Sequence, residues 1–569
     1  MSEATLIQES VVPAHPDSDA GRNRHTSTPS WKYAAFLLLV SVVVYAQALA
    51  FPFLQYDDVI YIQENAYVHQ WKSAPSFFSS FVNENFDKSS AKLPNLYRPA
   101  ISCWILLNYK LFGERAALWH LMAVALYALG VLLLWRIAWK LSCNQFVAVA
   151  CALLYAVHPL HVEAVAWIAG AYVETLLTVF FFGAFLAYLR WRESRRPIWL
   201  VMCGVLTLCA LLSKESAAAL PVLIACHVLI FRGPREKPEP GGRGLLPVGI
   251  ALCCSVVIYA LMRFHAIHGI VAPHRLHSWT SVFRSIPLVF VTHLKHAFWP
   301  VHLSAWYDER LVSKITLGNF YVPLLICVAY SALMIWALRR KPVAGFMMLW
   351  WALSLVPTLL GTISLSEDLP IVQDRFAFLG LAGLCLVVAQ VLESIPSRVT
   401  LLSFKAPGTI AVAIMAAVMG GLSALQVNTW RDDFALARHG IEVAPHTLRP
   451  WILLGVESSR KRDFDTAVVA FRGAVDVAPD QWNVLYTYAI ALKNVGDRKQ
   501  AIRVLTRGLE LNPTATPTYI VLANLLTAEG RLDEADKVLE QGIAQAREPD
   551  FLRLLQQRLR TYQARSIAR

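Results

Sequence analysis

Residues 33–58 read YAAFLLLVSVVVYAQALAFPFLQYDD. The first eighteen carry no charge and come close to the ~20 residues a helix needs to cross a bilayer's hydrocarbon core. An acidic motif, Tyr56-Asp57-Asp58, follows almost at once. Residues 1–31 are polar, rich in Ser, Pro, Asp and Arg, and read as a disordered cytoplasmic tail. No cleavable signal precedes the apolar run, which is therefore expected to remain as an anchor.

The pattern recurs along the chain. Hydrophobic residues make up 56% and charged ones 16%, with a mean hydropathy of +0.46. Soluble domains carry about 25% charged residues, so neither a purely soluble enzyme nor a disordered scaffold fits. Eleven spans are expected, at about 33–50, 116–138, 145–158, 172–190, 198–213, 216–231, 245–262, 316–337, 344–361, 372–392 and 408–426. The stretch 281–301 is apolar but interrupted by Arg284, His293, Lys295 and His296, and reads as interfacial or re-entrant. With the N-terminus in the cytoplasm, the cytoplasmic pieces hold eighteen Lys and Arg against eight acids, as the positive-inside rule requires. The net charge of +13 thus reflects topology, and no nucleic-acid partner is expected. The ten cysteines fall mostly inside apolar runs, without metal-site spacing, and read as packing residues.

After the last span the pattern changes. AVVAFRGAVDVAP (467–479), AIRVLTRGLELNP (501–513) and ADKVLEQGIAQAR (535–547) follow one another at 34 residues. That is the period of tetratricopeptide repeats (TPR). Ala467, Ala501 and Ala535 are small where paired helices meet, as are Gly455, Ala489 and Ala523, and prolines close the second helices. The expected organisation is all-α. A tail occupies 1–31. A transmembrane bundle covers 32–429, with an external loop at 51–115. An external TPR solenoid covers 430–569, with repeats at about 448–481, 482–515 and 516–549. The array should touch the bundle only near Trp430 and through residues 430–445. Its concave groove suits an extended peptide.

Sorted by side, the isolated polar clusters fall outside. They are Asp57-Asp58, Tyr97-Arg98-Pro99, His158-Pro159-Leu160-His161-Val162-Glu163, Glu174, Ser213-Lys214-Glu215, Arg263 with His265, His268, His274 and His277, and Gln373-Asp374-Arg375. Singly, each has an ordinary reading: a solvated acidic pair, an interfacial turn, a snorkelling arginine, an amphipathic loop. Together they place costly charge on one face, at the membrane boundary. A lipid-linked sugar donor presents its phosphate there. Cleaving the sugar–phosphate bond needs cations on the leaving phosphate, which Arg98, Lys214, Arg375 and the His158/His161 pair supply. An acceptor hydroxyl needs a base, a role that fits Asp57 or Asp58. Glu163, Glu174, Glu215 and Asp374 support these groups. A divalent cation is compatible with the set but not required by it, and His158 and His161 lack an evident third ligand. No glycine-rich nucleotide loop appears on the cytoplasmic side, against a nucleotide-sugar donor or an ATP-driven pump.

Tyr56-Asp57-Asp58, Tyr97-Arg98-Pro99, HPLHVEAVAWIAG (158–170), Leu212-Ser213-Lys214-Glu215, Asp374-Arg375-Phe376-Ala377-Phe378-Leu379 and Trp430-Arg431-Asp432-Asp433 occur in an order that resembles a known family. It is the transmembrane and TPR-containing O-mannosyltransferase family with its bacterial relatives, within the GT-C class of polyprenyl-phosphate-sugar glycosyltransferases. The resemblance covers about residues 33–550. It implies a GT-C membrane fold, a polyprenyl-phosphate-sugar donor, and the acidic motif on Asp57 and Asp58. Ala171 stands where the family usually has Arg, Asp374 where Glu is commoner, and Gly380 where a proline is usual. These departures bear on donor identity rather than reaction class. The expected location is a bacterial inner membrane, with the array outside recruiting a protein or peptide acceptor. Two other readings remain open: a transferase acting on lipid or glycan, and a non-catalytic anchor displaying a TPR adaptor.

Overall fold

A computed structural model describes residues 30–80, 96–231, 246–267, 278–361, 371–397, 399–401 and 404–567. The N-terminal tail up to residue 29, part of the loop expected to be external (81–95), the basic loop 232–245 and His268, His274 and His277 lie outside them.

All eleven expected apolar stretches are helical. Among the described residues, eight helices are long and apolar enough to cross a membrane, or nine if the bent pair Gln145–Val157 and Pro159–Ala166 forms one span. Pro197–Ser213 and Glu215–Ile230 are apolar but shorter. The chain is thus an integral membrane protein. The Ile168–Ser194 helix packs between Ala116–Ser142 and Pro197–Ser213, while Gln145–Val157 packs against Ala116–Ser142 and Phe378–Glu393. Serines and threonines within these helices bond to carbonyls one turn back, as Thr207 does to Cys203 at 2.7 Å, since no water is present to satisfy them. The doubtful stretch 281–301 is a helix over Trp279–Phe298, outside the group apolar enough to span. It turns His293 and His296 inward and leaves Lys295 exposed.

The breaks in these helices create the site. Pro159 has no N–H to continue the helix before it, and the residue ahead of a proline is driven out of the α region. The helix therefore stops at Val157, His158 is extended, and the chain bends by 55° into Pro159–Ala166. Lys214 is likewise extended, ending Pro197–Ser213. A short turn, Asp374–Ala377, opens the helix Phe378–Glu393. An unforeseen helix, Pro99–Phe112, starts at the Tyr97-Arg98-Pro99 motif, with proline at its first position. Ile101 and Ile105 point inward one turn apart.

Beyond Trp430 come Asp433–Val443, then the antiparallel pairs Leu448–Arg460 with Phe464–Val477, Trp482–Val495 with Arg498–Leu511, and Thr516–Ala528 with Leu532–Gln545, and finally Asp550–Ile567. Ala467, Ala501 and Ala535 are fully buried between helices. A Cβ on Gly455 would lie 2.7 Å from the Phe471 ring, so the first pair needs its glycine.

Contact between array and bundle is broader than expected. Besides residues 430–445, the Thr447 hydroxyl bonds to the Tyr307 carbonyl (3.1 Å) and Asp308 (3.0 Å), and Arg310 donates to the His446 carbonyl at 3.0 Å. Leu453 joins the apolar cluster that also holds Leu303 and Trp306. The reason is the loop after Phe298, which rises to meet the first repeat; the sequence gives no sign of that approach.

Candidate active site

The acidic motif divides its labour. Asp58 is buried, and both its oxygens accept backbone N–H groups: Oδ2 from Leu54 at 3.0 Å and Oδ1 from Ala169 at 2.8 Å. It clasps the loop after the first span to the start of the Ile168–Ser194 helix. From the other side, Asp433 accepts from Gln55 N at 3.0 Å. Tyr56 is enclosed by Trp167, Trp306 and Trp430, with ring centres at 5.0, 5.2 and 6.4 Å. The remaining carboxylate, Asp57, is half-buried, and among the described residues it makes no side-chain hydrogen bond or ion pair. Burial pushes it up to about 6, while the charges of Arg375 and Arg449 act in the opposite direction.

Three ion pairs surround this loop. Arg375 binds Glu163 through its guanidinium and its backbone N–H, and lies over the Trp167 ring at 5.1 Å. Lys214 binds Glu174, both deeply buried. Its Nζ is 5.4 Å from the centre of the Phe376 ring, which Arg375 also meets, at 5.7 Å. Arg98 binds Glu215 at 2.8 Å, and Arg263 reaches the same carboxylate at 3.7 Å. Four separated segments thus bring three cations and their carboxylates together. Arg98 and Arg375 keep 18% and 19% of their side chains exposed against 7% for Lys214, so the arginines are the more accessible to a ligand. Asp374 points away from Arg375, accepting from the Tyr307 hydroxyl at 2.6 Å with His296 at 3.4 Å.

The two histidines have a different setting from the one expected. His158 Nδ1 accepts from Leu160 N at 3.2 Å, and its Nε2 meets the Ala297 carbonyl at 2.9 Å. Neither nitrogen is left for a phosphate. His161 is fully buried, its Nδ1 beside the Tyr155 carbonyl (2.8 Å) and the Tyr127 hydroxyl (3.0 Å). These rings fasten the helix break. Among the described residues no group of three His, Cys, Asp or Glu side chains is arranged to hold a metal ion. Sequence reading passed over Tyr307, Trp306 and the role of Asp433. The first two lie in a loop without pattern; Asp433 carried a signal in the Trp430-Arg431-Asp432-Asp433 motif.

Comparison with known proteins agrees with this picture. Residues 97–259 match the family model described as dolichyl-phosphate-mannose-protein mannosyltransferase, and residues 495–558 match a tetratricopeptide repeat model. The mouse protein O-mannosyl-transferase TMTC3 is 25% identical over 90% of this chain and 60% of its own length. Human protein O-mannosyl-transferase TMTC1 is 30% identical over 37% of this chain and 25% of its own. The chain therefore spans less than two thirds of the length of these relatives. Among solved structures, the Archaeoglobus fulgidus oligosaccharyltransferase in the apo form aligns over 70% of this chain and 56% of its own, at 12% identity and a TM-score of 0.37, too distant to support an argument. The resemblance carried by the ordered motifs holds: the chain is similar to TPR-containing O-mannosyltransferases along most of its length.

Proposed function

We propose that this chain is a membrane glycosyltransferase that moves a sugar from a polyprenyl-phosphate donor to a serine or threonine hydroxyl of a protein acceptor. Mannose is the sugar named for its relatives. One observation carries the reading: Asp57 is a half-buried carboxylate without a hydrogen-bonded partner among the described residues, beside Arg375 in a cluster of cations. The acceptor oxygen attacks the anomeric carbon, the carbon–oxygen bond to phosphate breaks, and the polyprenyl phosphate departs. Asp57 takes the acceptor's proton as the new bond forms. Arg375 and Arg98 face the developing phosphate charge, with Lys214 behind them, and preorganised cations in a site of low dielectric stabilise such charge strongly. Glu163, Glu174 and Glu215 hold these cations in place, and Asp58 holds the loop. We divide the chain into a membrane domain at 32–429 and an external TPR domain at 430–569 that holds the acceptor in its groove. The proposed setting is a bacterial inner membrane, N-terminus inside.

The test is transfer of radiolabelled sugar from a polyprenyl-phosphate donor by the full chain in proteoliposomes. Asp57→Asn is expected to cost ~100-fold or more in turnover, the scale of a lost general base, while the protein still accumulates folded. Wild-type rates in that variant would remove the reading.

A further inference from the structure

The Leu448–Arg460 helix, first of the repeat array, is fixed to the membrane domain at its N-terminal end. The Thr447 hydroxyl bonds to Tyr307 and Asp308, and His446 N donates to Asp308 at 3.1 Å. One helix earlier, His439 Nε2 meets the Leu303 carbonyl at 2.7 Å, and Asp433 holds Gln55 N at 3.0 Å. A Cβ on Gly440 would lie 2.5 Å from Trp306 and 2.9 Å from Pro450, so the two helices and the bundle meet at van der Waals distance. Trp306 in turn packs on Tyr56, the residue before Asp57. Arg449 lies within this contact, between Leu448 and Pro450. It is half-buried, and no hydrogen bond or ion pair engages its guanidinium among the described residues.

We infer that the first repeat helix completes the active site, with Arg449 standing beside Arg375 as a second guanidinium serving the Asp57 carboxylate. The inference rests on the function proposed above. The charges that act on Asp57 are those of Arg449, from the repeat docked beside Tyr56, and Arg375, from the turn at 374–377; Asp57 in turn acts on Tyr56, Asp58 and Tyr61 in its own loop. Asp433, against the same loop, adds negative charge near Asp58. Burial opposes ionisation of Asp57, and the two arginines counter it. A base must be ionised to accept a proton, so activity rises with pH through the Asp57 midpoint, at about 6. Removing one cation moves that midpoint up and leaves less ionised base at any pH below it. Arg449 is thus a positioning residue, acting through Asp57. The TPR array is then part of the catalytic apparatus as well as a receptor for the acceptor.

The experiment compares wild type, Arg449→Gln and Arg449→Lys as full chains in proteoliposomes, with polyprenyl-phosphate-sugar as donor and a short soluble acceptor that needs no groove. Arg449→Gln is expected to move the acid limb of the pH–rate profile upward by about half a unit to one unit, as losing one nearby charge does, and so to lower turnover at pH 6 about two- to fivefold. The lysine variant should restore most of both. An unmoved acid limb, or a lysine variant as impaired as glutamine, overturns the inference. Infrared difference titration of carboxylates, with Asp57→Asn identifying the Asp57 band, gives a readout independent of turnover. If the band's midpoint rises in Arg449→Gln but no chain transfers sugar, the contact stands and the proposed reaction fails. If the band stays in place while wild type is active, the reaction stands and the inference fails.

Discussion

Two adjacent aspartates hold opposite positions. Asp57 faces a site of cations with no hydrogen bond of its own among the described residues, whereas Asp58 spends both oxygens on backbone N–H groups. The sequence left the base open between them, because the two carboxylates differ only in what surrounds them. The structure gives them different jobs and so different expected phenotypes. Asp58→Asn keeps one acceptor oxygen but places an NH2 group against a buried N–H donor. Leaving a buried donor unsatisfied costs about 1–3 kcal/mol. Its expected signature is a lower melting temperature and yield, with turnover per folded molecule reduced far less than in Asp57→Asn. Thermal unfolding beside specific activity separates the two, and a fully stable Asp58→Asn would show that the clasp is not needed.

At the scale of elements, the site is made of interruptions. Two apolar runs give way at Pro159 and Lys214 and a third begins at Asp374, and each of these points turns a charged or polar side chain inward. Broken helices are tolerated at membrane depth only where protein or an aqueous cavity covers them. The repeat array is the element whose role changes most. Read from sequence, deletion of residues 448–569 would spare transfer to a short soluble acceptor, because solenoid repeats contact only their neighbours. The Thr447 and His446 contacts with the bundle, and the role inferred for Arg449, alter that expectation. Deletion from residue 448 should abolish transfer to both natural and short acceptors. Truncation after residue 481, which keeps the first repeat, should spare the short acceptor while the natural one loses the benefit of high effective concentration. Equal activity of the two truncations on the short acceptor would show that the first repeat plays no part in the site.

For the whole molecule, the expected orientation is the one that charge favours. A reporter active only outside the cytoplasm, fused after residue 569, is expected to be active, and fused after residue 243 to be silent. The reverse pattern would move every site residue to the cytoplasmic face. The motive is the bias of eighteen basic residues against eight acids across the cytoplasmic pieces.

Membrane helices and TPR pairs were legible because each is a local pattern. A bilayer demands an uncharged run of fixed length, and a helical repeat demands small residues at a fixed period; neither depends on distant parts of the chain. Arg98, Lys214 and Arg375 stood out for the same reason, as charges that apolar surroundings make costly. Pairing was not legible. Glu163 with Arg375 and Glu174 with Lys214 lie far apart in sequence, and the rings of His158 and His161 look like ligands until the Ala297 carbonyl and Tyr127 are beside them. Pro99–Phe112 escaped notice because a helix of 14 residues is too short to resemble a span. Arg449 was invisible, one basic residue among many on a soluble repeat, with nothing in its neighbours to distinguish it. Its significance depends on the docking of two domains, and such contacts are settled by shape and by hydrogen bonds between remote segments. The sequence by itself determined what each segment is; only the tertiary structure decided which side chains face one another, because a charge acts through distance in space and not along the chain.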